Sequence, residues 1–278
     1  VARSRNRPPK LWPRVGAVRP APPATTAELL ERAKVAGKAG GPGPTELRRF
    51  VERIVAGDRA ALGELAPFPE LTTLDAWAAF TEVFGATPER AAIDPECSLR
   101  SARAAQRRIH AVAERGGRIA CATAAPASLL GIYGAIVRYA LGAGAEIGDL
   151  ADVGPLRIDG RSPRFVRWLE GVAVVSDGAA LCATRDGEAA REWLFVHPRP
   201  SLVVADGPFA EVAWEAGIEV VAFAGLDRGA LAIPAARGDR CTLVPMRVDR
   251  PPRAYALLSD VFSATPEPAS ERPSCPEL

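Results

Sequence analysis

From residue 118 onward the chain repeats one rhythm: a short unbroken apolar run, a turn, then a stretch with helical spacing. The runs are RIACAT, GVAVVS, SLVVAD and VVAFAG, with TLVPM as a weaker fifth. Unbroken apolar runs belong to strands covered on both faces, and their alternation with helices calls for crossovers between parallel strands. The expected fold is therefore α/β: a three-layer Rossmann-like domain with a mainly parallel sheet, preceded by a helical N-terminal region.

That region shows in TTAELLERAKVAG, PTELRRFVERIVAGD and TLDAWAAFTEVFG, where apolar residues recur at helical spacing. Thr25 or Thr26, Thr45 and Thr73 are the N-cap candidates. PECSLRSARAAQRRIHAVAERGG reads as a longer helix stopped by Gly116 and Gly117. The expected division is a basic, Pro-rich, disordered arm over 1–24, helices over 25–117, the α/β domain over 118–262, and a disordered Pro-rich tail over 263–278.

The 278 residues are 48% apolar and 24% charged, enough for a sizeable core. Lysine occurs only at Lys10, Lys34 and Lys38, so arginine carries nearly all the positive charge, as in a GC-rich bacterial gene; a first residue of valine fits a GTG start. The net charge is +2, yet Arg3, Arg5, Arg7, Lys10, Arg14 and Arg19 crowd the first 20 residues, which leaves the remainder acidic. Such runs are ordinarily solvated tails, and no nucleic-acid fold or aromatic stacking motif accompanies this one. No stretch reaches the roughly 20 apolar residues of a membrane span, and the arm lacks the apolar centre of a secretory signal, so the expected location is the cytoplasm. Cys97, Cys121, Cys182, Cys241 and Cys275 form no C-x-x-C pair and are odd in number, which points to reduced thiols, with Cys121 as a core residue.

Open α/β sheets bind ligands at the carboxyl ends of their strands, which here selects Thr123, Ser176, Asp177, Asp206 and Asp227. After Thr123, the turn through Ala124 and Ala125 opens a helix at Pro126, and amides at such a helix start favour an anion. It carries neither the glycines of the dinucleotide fingerprint nor the lysine of a P-loop. Asp177 in VVSDG and Asp206 in VVADG are placed to aim carboxylates into a crevice. They suit a divalent cation (Mg or Mn) held with substrate phosphate, or a general base or nucleophile. Asp before Gly is also ordinary turn and N-cap chemistry.

The two histidines, His110 in the long helix and His197 in FVHPRP, exclude a histidine-rich metal site, and Ser–His catalysis would require His197 to reach Ser128 or Ser176. In RSPRFVRWLEG, Arg161, Arg164 and Arg167 suit an anionic substrate or form the solvated face of a helix, with Phe165 and Trp168 as packing anchors.

The segments AKVAGKAGGPGP, IDPE, IACATAAPASLLGIYGAIVRYALGAGAEI, GVAVV and LVVADGPFAEVAWEAGIEVVAFA, in this order, resemble a family of actinobacterial phosphatases over about residues 26–250. The resemblance implies a first strand ending in A-T-G-H-P and a later one in D-H-G. Ala122, Thr123, Pro126 and Asp206 match, whereas Ala124, Ala125 and Gly207 stand where glycine, histidine and histidine are implied. SDGAALCATRDGEAAREWL, where another histidine is implied, has none. Two expectations follow. One is a phosphatase-like hydrolase of a small phosphorylated substrate, with Asp206 and Asp177 as catalytic and metal-holding groups, and Thr123, Ala125, Pro126, Ser176, Gly207 and Arg164 binding the ligand. The other is a non-catalytic binding or regulatory protein that places an anionic ligand or a protein partner in the same crevice.

Overall fold

The computed structural model describes residues 24–38, 41–148, 152–157, 163–196 and 198–265. The expected arm, most of the tail, Arg161 and His197 lie outside them.

Five helices come first. Helix α1 (Thr26–Arg32) opens on Thr25, which accepts the Glu28 amide while Glu28 returns to the Thr25 amide, a capping box. Helix α2 (Pro44–Val55) starts after Gly43 rather than at Thr45, because proline at the first position sacrifices no bonded N–H. A short α3 (Arg59–Leu62) is capped by Asp58, and α4 (Thr73–Phe84) by Thr72, one residue before the expected cap. Helix α5 (Pro95–Ala113) opens on Asp94 and closes where Gly116 takes φ +63°.

The sheet follows as β1 (Arg118–Thr123), β2 (Glu146–Ile147), β3 (Val153–Leu156), β4 (Arg164–Leu169), β5 (Val172–Ser176), β6 (Leu181–Cys182), β7 (Leu202–Asp206), β8 (Val220–Ala224) and β9 (Cys241–Pro245). Its order is β3-β4-β5-β1-β7-β8-β9, with β2 on β1 and β6 on β5. The five strands expected from the apolar runs pair in parallel, and β3, β4 and β6 add antiparallel pairings.

The remaining helices are α6 (Pro126–Gly142), α7 (Glu188–Val196), α8 (Gly207–Glu215), α9 (Ala232–Ala236) and α10 (Ala256–Ser263). Leaving β1 the chain crosses by α6 to β5, then returns by α7 to β7 on the other side of β1. Right-handed crossovers in opposite directions put α6 and α7 on opposite faces and make the carboxyl end of β1 a topological switch point.

Arg164–Leu169 is a strand, not a helix face. Glu170 and Gly171, at φ +52° and +83°, turn it directly into β5 as a tight hairpin. Side chains three apart on a strand fall on opposite faces, so Arg164 and Arg167 do not act together. The helical segment and the α/β layers share one continuous core, from Leu30 to Phe262.

Candidate functional site

Strands β1 and β7 run side by side with Ala122 opposite Ala205, so Thr123 and Asp206 end level with each other. Asp206 occupies the N-cap position of α8 without capping it. Its side chain turns to β1 instead: Oδ2 accepts the Ala124 amide at 3.2 Å, Oδ1 accepts the Tyr133 hydroxyl at 2.9 Å, and the Thr123 hydroxyl also hydrogen-bonds the carboxylate. Burial to 2% exposure pushes its pKa up to about 6, against the opposing pull of these bonds and of the Arg228 charge. Tyr133, brought by α6, packs edge-on to Phe223; burial beside Asp206 raises its own pKa well above the ordinary value, so it stays a donor.

The turn after β1 is tied down from both sides. The Ala125 amide donates to Thr123 Oγ1 at 3.0 Å, and the Thr184 amide to the Ala124 carbonyl at 3.0 Å. The Ala124 and Ala125 amides, expected to meet an anion, are thus spent within the chain. Gly207 has φ +53°, and a Cβ there would stand 3.2 Å from the Ala124 methyl.

A cleft of about 1110 Å³ opens over these strand ends. The helical segment contributes Gly37, Glu46 and Ile93 to its wall; the loop after β6 contributes Thr184 and Arg185; the start of α8 contributes Asp206, Gly207 and Glu211; and the segments after β8 and β9 contribute Asp227, Arg228, Arg247 and Asp249. Ala125 and Ser128 also line it, whereas Thr123 and Pro126, expected to bind the ligand, are buried and not among the lining residues.

Ser176, Asp177 and Arg164 are not among the lining residues. Ser176 Oγ accepts the Gly178 amide. Asp177 accepts the Ala180 and Ala179 amides and pairs with Arg164 at 3.0 Å, and these contacts hold its carboxyl below the usual range. Arg167 pairs with Asp152. Asp177 begins two strands from Asp206 and three residues farther along: Thr123 is level with Asp206 on one side and with Val174 on the other. At ~4.8 Å per strand and ~3.3 Å per residue, the two carboxylates do not meet in one cation shell. The described residues hold no group of three or more His, Cys, Asp or Glu that would take a metal ion. The proposed Asp206–Asp177 metal site therefore does not fit this geometry.

His110 pairs with Glu114, the C-cap of α5, outside the cleft. Cys121 is fully buried in β1, where burial pushes its thiol up to about 12.

A family model described as Phosphatase matches residues 24–264. The chain belongs to this phosphatase family. A Streptomyces coelicolor protein named as a phosphatase is 28% identical over 242 residues, covering 80% of this chain and 87% of its own. No solved structure matches. No helix among the described residues is long and apolar enough to cross a membrane.

Sequence reasoning passed over three residues of this phosphatase-family site: Glu211 and Arg228, which line the cleft, and Tyr133, buried behind Asp206. Glu211 sits one turn into α8 at 5% exposure; its Oε2 accepts the Glu64 amide at 2.9 Å, and Glu215 on the next turn accepts the Ala66 amide at 2.7 Å. These two bonds fasten the helical segment to α8. Arg228, half-buried, sits where its charge favours the ionised forms of both Asp206 and Glu211.

Proposed function

We propose that the chain hydrolyses small phosphate monoesters in this cleft. The observation that carries the reading is Asp206: a buried carboxyl at the switch point whose pKa is pushed up to about 6, with the Arg228 charge lining the same cleft. Water adds to phosphorus as the ester P–O bond breaks, the departing oxygen takes the proton that Asp206 holds, and the proton shed by the water, carried on the phosphate formed, returns to Asp206 before the next turnover. Arg228 and the start of α8 face the charge that builds on the transferring group. Thr123 and Tyr133 hold the carboxyl in place. No step runs through a divalent cation.

The second reading, a binding or regulatory protein in the same scaffold, is favoured by one specific observation: both Asp206 oxygens already accept bonds from this chain. Phosphate release from p-nitrophenyl phosphate and a panel of monoesters, with Mg²⁺, Mn²⁺ or EDTA, beside Asp206→Asn, separates the two. Turnover that persists in EDTA and is lost in the variant supports hydrolysis as written. Turnover abolished by EDTA restores a cation to the mechanism, and no turnover above the variant favours binding.

A further inference from the structure

The carboxylate that Asp206 buries is fully engaged, but the one that Glu211 buries is not. Glu211 is 5% exposed and lines the cleft, and its Oε2 is taken by the Glu64 amide. Its Oε1 has no hydrogen-bond partner among the described residues. That oxygen is not among the fully buried unpaired atoms, so it opens to the cleft, where a donor on a ligand can replace water. Arg228, half-buried, lines the same cleft close enough for its charge to act on Glu211, and its guanidinium makes no hydrogen bond or ion pair among the described residues. An unpaired guanidinium and an open carboxylate lining one cleft offer donors and an acceptor to the same molecule, which suits a phosphate and a hydroxyl carried on one ligand.

The rest of the wall narrows the class. Asp227 adds a further exposed carboxylate at the rim. Among the described residues the one aromatic of the lining is Phe223, which is 1% exposed and packs edge-on with Tyr133, so it offers no face on which a nucleobase or aryl ring would stack. The cleft, at about 1110 Å³, has room well beyond a bare phosphate.

We propose that Arg228 and Glu211 form the specificity pair of this cleft, Arg228 holding the phosphate and Glu211 Oε1 accepting a hydroxyl of the same ligand, so that the substrate class is the phosphate ester of a polyol, such as a sugar phosphate. This rests on the phosphatase reading for its chemistry, but recognition is measurable without turnover.

The test compares binding of glucose 6-phosphate, inorganic phosphate, p-nitrophenyl phosphate and phosphoethanolamine to the full chain, followed by the rise in melting temperature with ligand concentration. Glucose 6-phosphate is expected to bind most tightly. In Glu211→Gln, which keeps an oxygen for the Glu64 amide, its advantage over inorganic phosphate should fall about tenfold, the size of a lost bond to a charged acceptor. Arg228→Gln should weaken both ligands. The proposal is overturned if glucose 6-phosphate shows no advantage, if the advantage survives Glu211→Gln, if phosphoethanolamine binds best, or if no phosphate compound binds. Loss of the advantage in Glu211→Gln without phosphate release from any ester would keep this proposal and sink the hydrolase reading. Hydrolysis of p-nitrophenyl phosphate with no preference for the sugar ester would do the reverse.

Discussion

Tyr133 donates its hydroxyl to Asp206 Oδ1 across 2.9 Å, joining the second turn of α6 to the carboxyl end of β7. This bond favours the charged carboxylate, whereas burial, the larger effect, opposes it. Tyr133→Phe removes the opposing pull, so the Asp206 pKa should move further above its value of about 6. At neutral pH the variant should lose about 1.5–3 kcal/mol, the range for a hydrogen bond to a charged group, and less at acid pH where the acceptor is neutral. Urea unfolding of both proteins across pH checks it; equal losses at both ends would contradict it.

Asp206 also sets a sign for stability against pH. Its pKa rises from 3.8 to about 6 on folding, so the native state binds the proton more tightly. The stabilisation is fully present below the unfolded value and is lost as pH climbs through the folded one, by about 3 kcal/mol. Asp206→Asn has no such proton to lose. The stability of the wild-type protein relative to the variant should fall by about that amount between roughly pH 3.5 and 7. A rising or flat difference in denaturant titrations would refute the assignment.

Gly207 tests the contact between the two turns. An alanine at its φ of +53° meets both a backbone penalty and the Ala124 methyl. Gly207→Ala should cost about 1–2 kcal/mol. Adding Ala124→Gly should return the steric part alone, so the double variant departs from additivity while remaining less stable than Ala124→Gly. Strict additivity in thermal unfolding would show that the two residues do not touch.

Asp177 gives the opposite expectation. Its carboxylate is occupied by the Ala180 and Ala179 amides and by Arg164, away from the cleft. Asp177→Ala should leave kcat/KM on phosphate esters within about twofold, as for a substitution remote from the site. A large drop would return it to the site.

The parallel strands were legible because RIACAT, GVAVVS, SLVVAD, VVAFAG and TLVPM are apolar on both faces, a pattern that only buried strands require. RFVRWL was not, because arginines three apart imitate one face of a helix; the turn at Glu170 and Gly171 is what makes it a hairpin arm. Asp206 was legible as a carboxylate at a strand end. Asp177 looked identical locally, and only strand order separates the two. Tyr133 and Glu211 lie inside helices, where a polar residue reads as an ordinary exposed position until packing shows which side it faces. Arg228 sits in a kinked turn with no periodicity to mark it.

The chain's first helices are held by its last strands. The Arg247 amide donates to the Val35 carbonyl, Ser98 to the Pro245 carbonyl, and Gln106 to the carbonyls of Val261 and Ala264. During synthesis, Gln106 leaves the ribosome about 150 residues before its acceptors. At 5–20 residues per second it waits roughly 7–30 seconds. Over that interval the faces of α5 that pack on β9 and α10 stay uncovered, and a stop codon even shortly before residue 245 leaves a product with an open flank and a cleft without Arg247 and Asp249.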